Sequence, residues 1–423
     1  MKKIELFASL GAALFVLLLL PCELMAQGGN IHFGKLKIIP TIAVQGIYDD
    51  NIYRGSGNTY IDLARTREER EESDWITHVM PGVLLNYTLP ERGYLNLGYQ
   101  GDFAFYEDND DNNWKNHQVK MDLIYQAPAG LILGLTNLYR RSEDPYGSAE
   151  QVNIGRVTKR WTNDLQGKAG YNFSGSFRSF LYYNFYKQEY KDDLRDYTQN
   201  YDDNEFGVGA EVKFLPKTWG FVRYYYGERD YNTHYGLSTD SNDSSSKWHR
   251  ANVGLTWDAA AKFQGELNFG YQWKKYDNEF SPMGQRREDK DTWIAATSVS
   301  YQPTTTTNLS LTLSRALRDT NSETNEYFED TAVGINAQQI ILRKFTMALG
   351  VMYSKNDYNV PPGYSTSGED REDDNYLANI GIDYNIREWL TAGVAYNYNK
   401  KDSNYDQESF TDNQFMATVK VVY

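Results

Sequence analysis

Catalysis or metal binding would need nucleophiles, bases or ligand atoms brought close together, so the histidines and acidic clusters of this chain are weighed first. The five histidines, His32, His78, His117, His234 and His249, show no spacing typical of metal ligands. No G-x-S-x-G stretch sets a serine on a strand-to-helix turn. His234 or His249 with Asp240 and Ser244 could assemble a hydrolytic site from distant loops, yet lone histidines near strand ends are usually hydrogen-bonded or interfacial. Asp49-Asp50-Asn51 could hold a divalent cation or lipopolysaccharide-associated ions. Asp and Asn also favour loops through local hydrogen bonds, and that turn role is the preferred reading. Asp108, Asp110 and Asn112 imitate the start of a calcium loop, but Asn113 stands where Gly is needed and Val119 where Glu is needed. Glu369 to Asp374, EDREDD, reads as a solvated acidic loop, and Arg65 to Glu72 as a short helix of mixed charge. These residues give no positive sign of an enzyme, and no cofactor or metal is assigned.

The pattern that dominates is one of strands. In Tyr94 to Tyr106, YLNLGYQGDFAFY, the residues Leu95, Leu97, Tyr99, Phe103 and Phe105 fall on one face, and Asn96, Gly98, Gln100 and Asp102 on the other. A tight turn, Pro90 to Gly93, precedes the strand and a long polar loop, Glu107 to Asn116, follows it. An apolar face that no helix covers, opposite a small polar face, suits a strand with lipid outside and water inside.

The same unit recurs about eighteen times. The segments are Lys37 to Tyr48, Trp75 to Leu89, Tyr94 to Tyr106, His117 to Ala127, Leu131 to Arg141, Trp161 to Phe173, Phe177 to Tyr190, Glu205 to Phe214 and Trp219 to Tyr231. Trp248 to Trp257, Phe263 to Tyr276, Thr292 to Gln302, Asn308 to Leu317, Phe328 to Leu342, Lys344 to Tyr358, Tyr376 to Ile386, Leu390 to Tyr398 and Gln414 to Tyr423 complete them. Short turns near Pro90, Pro128, Ser174, Pro216, Ala260, Thr305, Arg343 and Glu388 alternate with long loops. The pattern predicts an all-β, antiparallel, up-and-down transmembrane barrel with short periplasmic turns, long extracellular loops and both termini periplasmic. Counts of 16 to 20 strands fit if the boundary near Arg343 shifts by a hairpin. Trp75, Trp114, Trp161, Trp248 and Trp293 stand at or just before strand starts, where an interfacial aromatic girdle is expected. A soluble sandwich of this length would show domain punctuation and fewer than the 35 tyrosines present.

Bulk properties agree. The 423 residues show no composition shift that marks a domain boundary. A mean hydropathy of -0.67 argues against membrane helices, while a barrel hides its apolar residues in alternation. The net charge of -14 argues against nucleic acid as a partner. Lys2 and Lys3, the apolar run Leu6 to Leu20 and Leu24-Met25-Ala26 read as a signal peptide over residues 1–26, followed by a short periplasmic segment, 27–36, and one barrel domain, 37–423. Pro21 stands where a lipobox before Cys22 would have a small residue, so the cleaved chain would hold no cysteine and no disulfide.

The last strand alternates Phe415, Ala417, Val419 and Val421 and ends on Tyr423, which resembles the C-terminal signal read by the outer-membrane assembly machinery. Pro40, the Tyr48-Asp49-Asp50-Asn51-Ile52-Tyr53-Arg54 stretch, Ser73-Asp74 and Pro81-Gly82 resemble the pattern of the putative β-barrel porin 2 family. The motifs cover roughly residues 37 to 90, and the remainder matches in strand-and-loop texture. The resemblance implies an outer-membrane protein, often encoded beside exopolysaccharide genes, with lipid, lipopolysaccharide and periplasmic polysaccharide-export proteins as partners. On strand parity, Lys120, Asp122, Lys168, Glu211, Lys213, Arg223, Arg250, Glu266 and Asp383 face the lumen. Opposed charges there could set a transverse field for solutes or pair across strands. Asp49 to Ser73 and Ser142 to Arg160 are the natural plugs. The function expected is a conduit or accessory for exopolysaccharide export. The alternatives are a diffusion porin for small polar solutes and a plugged structural or surface-interaction barrel.

Overall fold

Side chains that alternate between two solvents force an extended backbone, and the computed structural model shows nineteen antiparallel strands. It describes residues 31–57, 71–90, 92–145, 157–191, 200–231, 243–257, 262–280, 286–319, 327–359 and 370–423. In chain order come β1 (Ile31–Phe33), β2 (Leu36–Asp49), β3 (Asp74–Leu89), β4 (Arg92–Tyr106), β5 (Trp114–Gln126), β6 (Leu131–Asp144) and β7 (Thr158–Ser174). They are followed by β8 (Phe177–Tyr190), β9 (Tyr201–Leu215), β10 (Thr218–Tyr231), β11 (Ser246–Trp257), β12 (Phe263–Tyr276) and β13 (Lys290–Tyr301). The last six are β14 (Thr307–Asp319), β15 (Tyr327–Ile341), β16 (Phe345–Tyr358), β17 (Glu372–Arg387), β18 (Leu390–Ser403) and β19 (Phe410–Val422). Among the described residues the only helical turns are of 3-10 type, Asp110–Asn112 and Asp406–Glu408.

Strands β2 to β19 form a closed ring of eighteen, each beside its chain neighbours. The ring closes where β19 pairs with β2, from Gln414↔Asp49 to Val422↔Thr41. Short β1 folds back on β2 through Gly34, whose φ of 61° favours glycine. The tight connections, the start of β2 and the C-terminal residue lie at one end of the ring: Thr88 donates to the Lys35 carbonyl at 3.1 Å and Tyr423 to that of Pro40 at 3.0 Å. The junction at Arg343 is a two-residue hairpin with φ of 52° at Leu342 and 59° at Arg343, and Lys344 donates back to Ile341 at 3.2 Å. Both central residues are left-handed there without the Asn-Gly pair such turns prefer, which explains the weak sequence signal.

The strands extend further at the long-loop end than hydrophobic alternation indicates. β9 starts at Tyr201 rather than Glu205, β17 at Glu372 rather than Tyr376, β19 at Phe410 rather than Gln414, and β18 continues to Ser403. Ladder hydrogen bonds need no apolar side chain, so pairing outlasts the apolar belt. Polar contacts hold these tips: Arg371 pairs with Asp373 at 2.6 Å and Glu408 at 3.0 Å, and Ser403 donates to Asp373 at 2.6 Å. Burial works against the Arg371 charge, but its bonds to Asp373 and the nearby Glu408 outweigh this and raise its pKa above the ordinary value.

The two faces can be assigned from one contact. Arg229 on β10 reaches Asp319 on β14 at 2.7 Å, spanning three intervening strands, and only a path through the ring's interior permits that. Register then carries the assignment around the ring. Leu181, Val208, Val222, Val253, Ile335, Val351 and Val394 point outward, each at least half exposed, and form an apolar belt. A continuous exposed apolar surface of this kind requires a hydrocarbon solvent. Phe415, Ala417, Val419 and Val421 lie on this outer face, in register with Tyr48, Gly46, Val44 and Ile42, and Tyr423 follows at the seam.

The tryptophan girdle is only partly as expected. Trp75 and Trp293 are exposed on the outer face, and Trp161 lies there beside Tyr139 with ring centroids 6.0 Å apart. Trp114 and Trp248 turn inward instead. Trp114 is in register with Ala104 and packs on an inner cluster of Ile52, Tyr53, Ile76 and Tyr106, and the Trp248 indole donates to Glu205 at 2.8 Å. Proximity to a strand end sets height along the barrel, but single-residue parity sets the side. The prediction is that Val222→Arg, on the outer belt, costs about 2–4 kcal/mol in unfolding from lipid bilayers, whereas an exposed position on a water-soluble protein would shift by only about 0.5 kcal/mol. Denaturant titration of the barrel refolded in vesicles measures this.

Candidate functional site: the inner wall of the barrel

The inner wall from β6 to β14 is built of arginines held between carboxylates and rings. On β7, Arg160 bonds Asp144 at 2.7 Å and Gln188 at 3.0 Å. On β8, Arg178 pairs with Glu211 at 2.6 Å and lies 3.6 Å from the centre of the Trp219 ring. Arg223 on β10 meets Glu211 at 3.3 Å, takes Glu266 in a two-pronged contact at 2.9 and 2.8 Å, and covers the Phe221 ring at 3.8 Å. Arg250 pairs with Glu205, which also accepts from Trp248. Higher up, Arg229 grips Asp203 at 2.6 and 2.7 Å, stacks 3.9 Å over Tyr201 and reaches Asp319, which also binds Lys274 at 2.5 Å. A strand repeat of two residues puts successive inward side chains in reach of neighbours one strand away, which is why the charges mesh rather than oppose.

Register carries Lys120, Asp122, Lys168, Glu211, Lys213, Arg223, Arg250, Glu266 and Asp383 to the face opposite the exposed aliphatic belt. They do not form one site. Glu211, Arg223 and Glu266 are joined in the network above; Lys120 pairs with Asp122 at 3.0 Å on another part of the wall. The Lys168 chain covers Gly134, Lys213 lies 5.3 Å from the Trp219 ring centre, and Asp383 covers Gly393 across the ring. Sequence reading missed Arg178, Asp203, Glu205, Arg229, Lys274 and Asp319. Parity extended along β8, β10 and β12 would have found the cations, whereas Asp203, Glu205 and Asp319 lie at or beyond the ends of the apolar alternation.

The motif residues gather where the ring closes. Asp49 accepts the Asn51 amide at 2.8 Å, and the Asn51 side chain bonds Gly55 in both directions and the Thr411 carbonyl at 2.8 Å. Asp74 accepts amides of Trp75, Glu107, Asp108 and Asn109. Pro81 and Gly82 face Ile42 and Thr41, and a Cβ on Gly82 would stand 2.6 Å from the Thr41 hydroxyl. Residues 50–57 thus fold onto the inner wall, with Tyr53 donating to Asn109 at 3.0 Å. Most of the two predicted plug loops and of the 65–72 helix, with the signal segment, lie outside the described residues. So do His234 and Asp240; His249 bonds Tyr224 at 2.7 Å on the outer face and Ser244 accepts from Arg287 at 3.2 Å, so these two do not meet.

A family model for putative β-barrel porin 2 matches residues 26–423. Among solved structures, the outer membrane protein OpdK of Pseudomonas aeruginosa is similar at 10% identity and a TM-score of 0.46, covering 93% of this chain and 100% of its own. OccAB4 of Acinetobacter baumannii gives 10% and 0.45, covering 94% and 100%, and a BenF-like porin of Pseudomonas fluorescens gives 8% and 0.46, covering 91% and 99%. No curated protein matches.

The wall makes a stability prediction. Asp319→Asn leaves the buried Lys274 without its carboxylate and Arg229 with Asp203 alone, and is expected to cost about 3–5 kcal/mol. Lys120→Ala, at a half-exposed pair, should cost about 1 kcal/mol or less. Urea unfolding of both variants in detergent compares them.

Proposed function

The chain belongs to the putative β-barrel porin 2 family, and from that membership we propose that this integral outer-membrane channel passes polar, near-neutral, hydroxyl-rich solutes by diffusion. The observation that carries the reading is the neutralised wall. Arg178, Arg223, Arg229 and Arg250 each meet a carboxylate, so a passing ion encounters little unbalanced charge. Between them stand inward rings, with Tyr182 and Tyr225 at 5.6 Å and Tyr186 and Tyr201 at 5.6 Å between centroids. Rings and amides offer a saccharide both an apolar plate for its C–H face and partners for its hydroxyls. An interior of eighteen strands is wide enough for an aqueous path, and inward-folded residues 50–57 narrow its long-loop end. In this reading the short-turn end and both termini face the periplasm.

The same rings favour a second reading, in which the hydroxyl-rich cargo is an exopolysaccharide strand leaving the cell with help from periplasmic export proteins. Planar-bilayer conductance of the refolded protein separates the two. Diffusion predicts a stable open current of weak ion selectivity, reduced by added oligosaccharide; a barrel that stays closed, with loss of polysaccharide secretion in a deletion strain, would favour export. Glu266→Gln leaves the Arg223 guanidinium under-balanced, so the reversal potential in a salt gradient should move toward anion preference. An unchanged potential would remove Arg223 from the conducting path.

A further inference from the structure

At the long-loop end of the seam between β2 and β19, Asp49, Asp50 and Asp412 each place a carboxylate oxygen so that all lie within 4.8 Å of one another. Asp49 is 6% exposed and Asp412 only 1%. Carboxylates this close, and this poorly hydrated, cannot all stay charged without a counter-charge. Arg54, stacked on Phe410 at 5.5 Å, supplies one positive charge nearby against three acids.

The hydrogen bonds show where the deficit lies. Asp49 accepts from Asn51 at 2.8 Å and from the Gln414 side chain at 2.9 Å. Asp50 accepts from the backbone and side-chain nitrogens of Asn413 at 2.7 and 2.8 Å. One Asp412 oxygen accepts from Gln414 at 3.2 Å, but the other, Oδ1, is buried and finds no donor among the described residues. Nearby Asp74 provides the contrast: it too is buried, yet accepts four backbone amides and the Asn109 side chain. A buried carboxylate oxygen without a donor calls for a ligand that is itself positive.

We propose that Asp49, Asp50 and Asp412 bind a hard divalent cation of the calcium class, which ties the first barrel strand to the last. All-oxygen ligands without sulfur or imidazole select calcium or magnesium, and ligands on a strand end and the turn after it suit the looser calcium shell. The ion bridges residues 363 positions apart in sequence, as the Asp50–Asn413 contacts already do, so it acts where the ring is closed by non-local pairing alone.

The test is calorimetric titration of calcium chloride into full-length, lipopolysaccharide-free protein refolded in detergent, with thermal unfolding followed in calcium and in EDTA. Saturable binding and a higher unfolding midpoint in calcium are expected for the unaltered protein. Asp412→Asn, which keeps the side-chain shape, should bind at least tenfold more weakly and lose the calcium-dependent shift. Should that variant fail to assemble, Asp50→Asn serves in its place with the same expectation. No saturable binding by the unaltered protein, or equal binding by the variants, overturns the proposal. So does a midpoint that ignores calcium and rises only on acidification, because a proton shared by Asp49 and Asp412 then fills the ion's place.

Discussion

The structure depends on one constraint: within hydrocarbon, every backbone N–H and C=O must find its partner inside the protein. An antiparallel sheet satisfies all but its two edges, and closing β19 on β2 removes those. The closure explains why the chain needs no conventional core. Among the described residues, the most exposed large hydrophobics include Leu181, Val222, Ile335 and Val394, while the largest fully buried side chains are Asn51, Asn112, Thr158, Asp373, Asp412 and Ser246. Polarity is inverted because the solvents are.

That inversion sets the electrostatics of the interior. A charged side chain on the inner wall has lipid-covered strand behind it and neighbouring side chains packed around it, so an unpaired cation such as Lys274 would be costly. The wall resolves this by cross-strand pairing, with Glu211 shared between Arg178 and Arg223, and Asp319 between Arg229 and Lys274. Aromatic faces under the guanidiniums add a second favourable contact without adding charge. The wall is therefore rich in charge and nearly balanced, a different surface from one carrying segregated rows of opposite sign.

At the long-loop end, belt and lumen give way to a polar rim whose order comes from short side chains. Asn51 acts as a local spacer between the β2 exit and Thr411, and Asp74 gathers the amides of the next loop. The Asx-turn preference of the Asp-Asp-Asn stretch is met there, and a cation role concerns Asp49 and Asp50 only together with Asp412 from the far end of the chain.

The sequence by itself determined the class of fold, a count of about eighteen barrel strands and the alternation of faces within the apolar stretches, because a period of two and short turns are local properties. Leu95, Leu97 and Phe105 against Asn96, Gln100 and Asp102 carry that information without any neighbour being known. The Leu342-Arg343 turn and the polar strand tips were faint for the complementary reason: ladder bonding there proceeds without the apolar pattern. Only the tertiary structure decided which charges meet. Arg229 finds Asp319 ninety positions away, and Asp49 finds Asp412 across almost the whole chain, because ring closure and strand stagger set these distances. Trp114 and Trp248 mark the same limit, since a one-residue change of parity moves a ring from lipid to lumen while leaving its place in the sequence pattern almost unaltered.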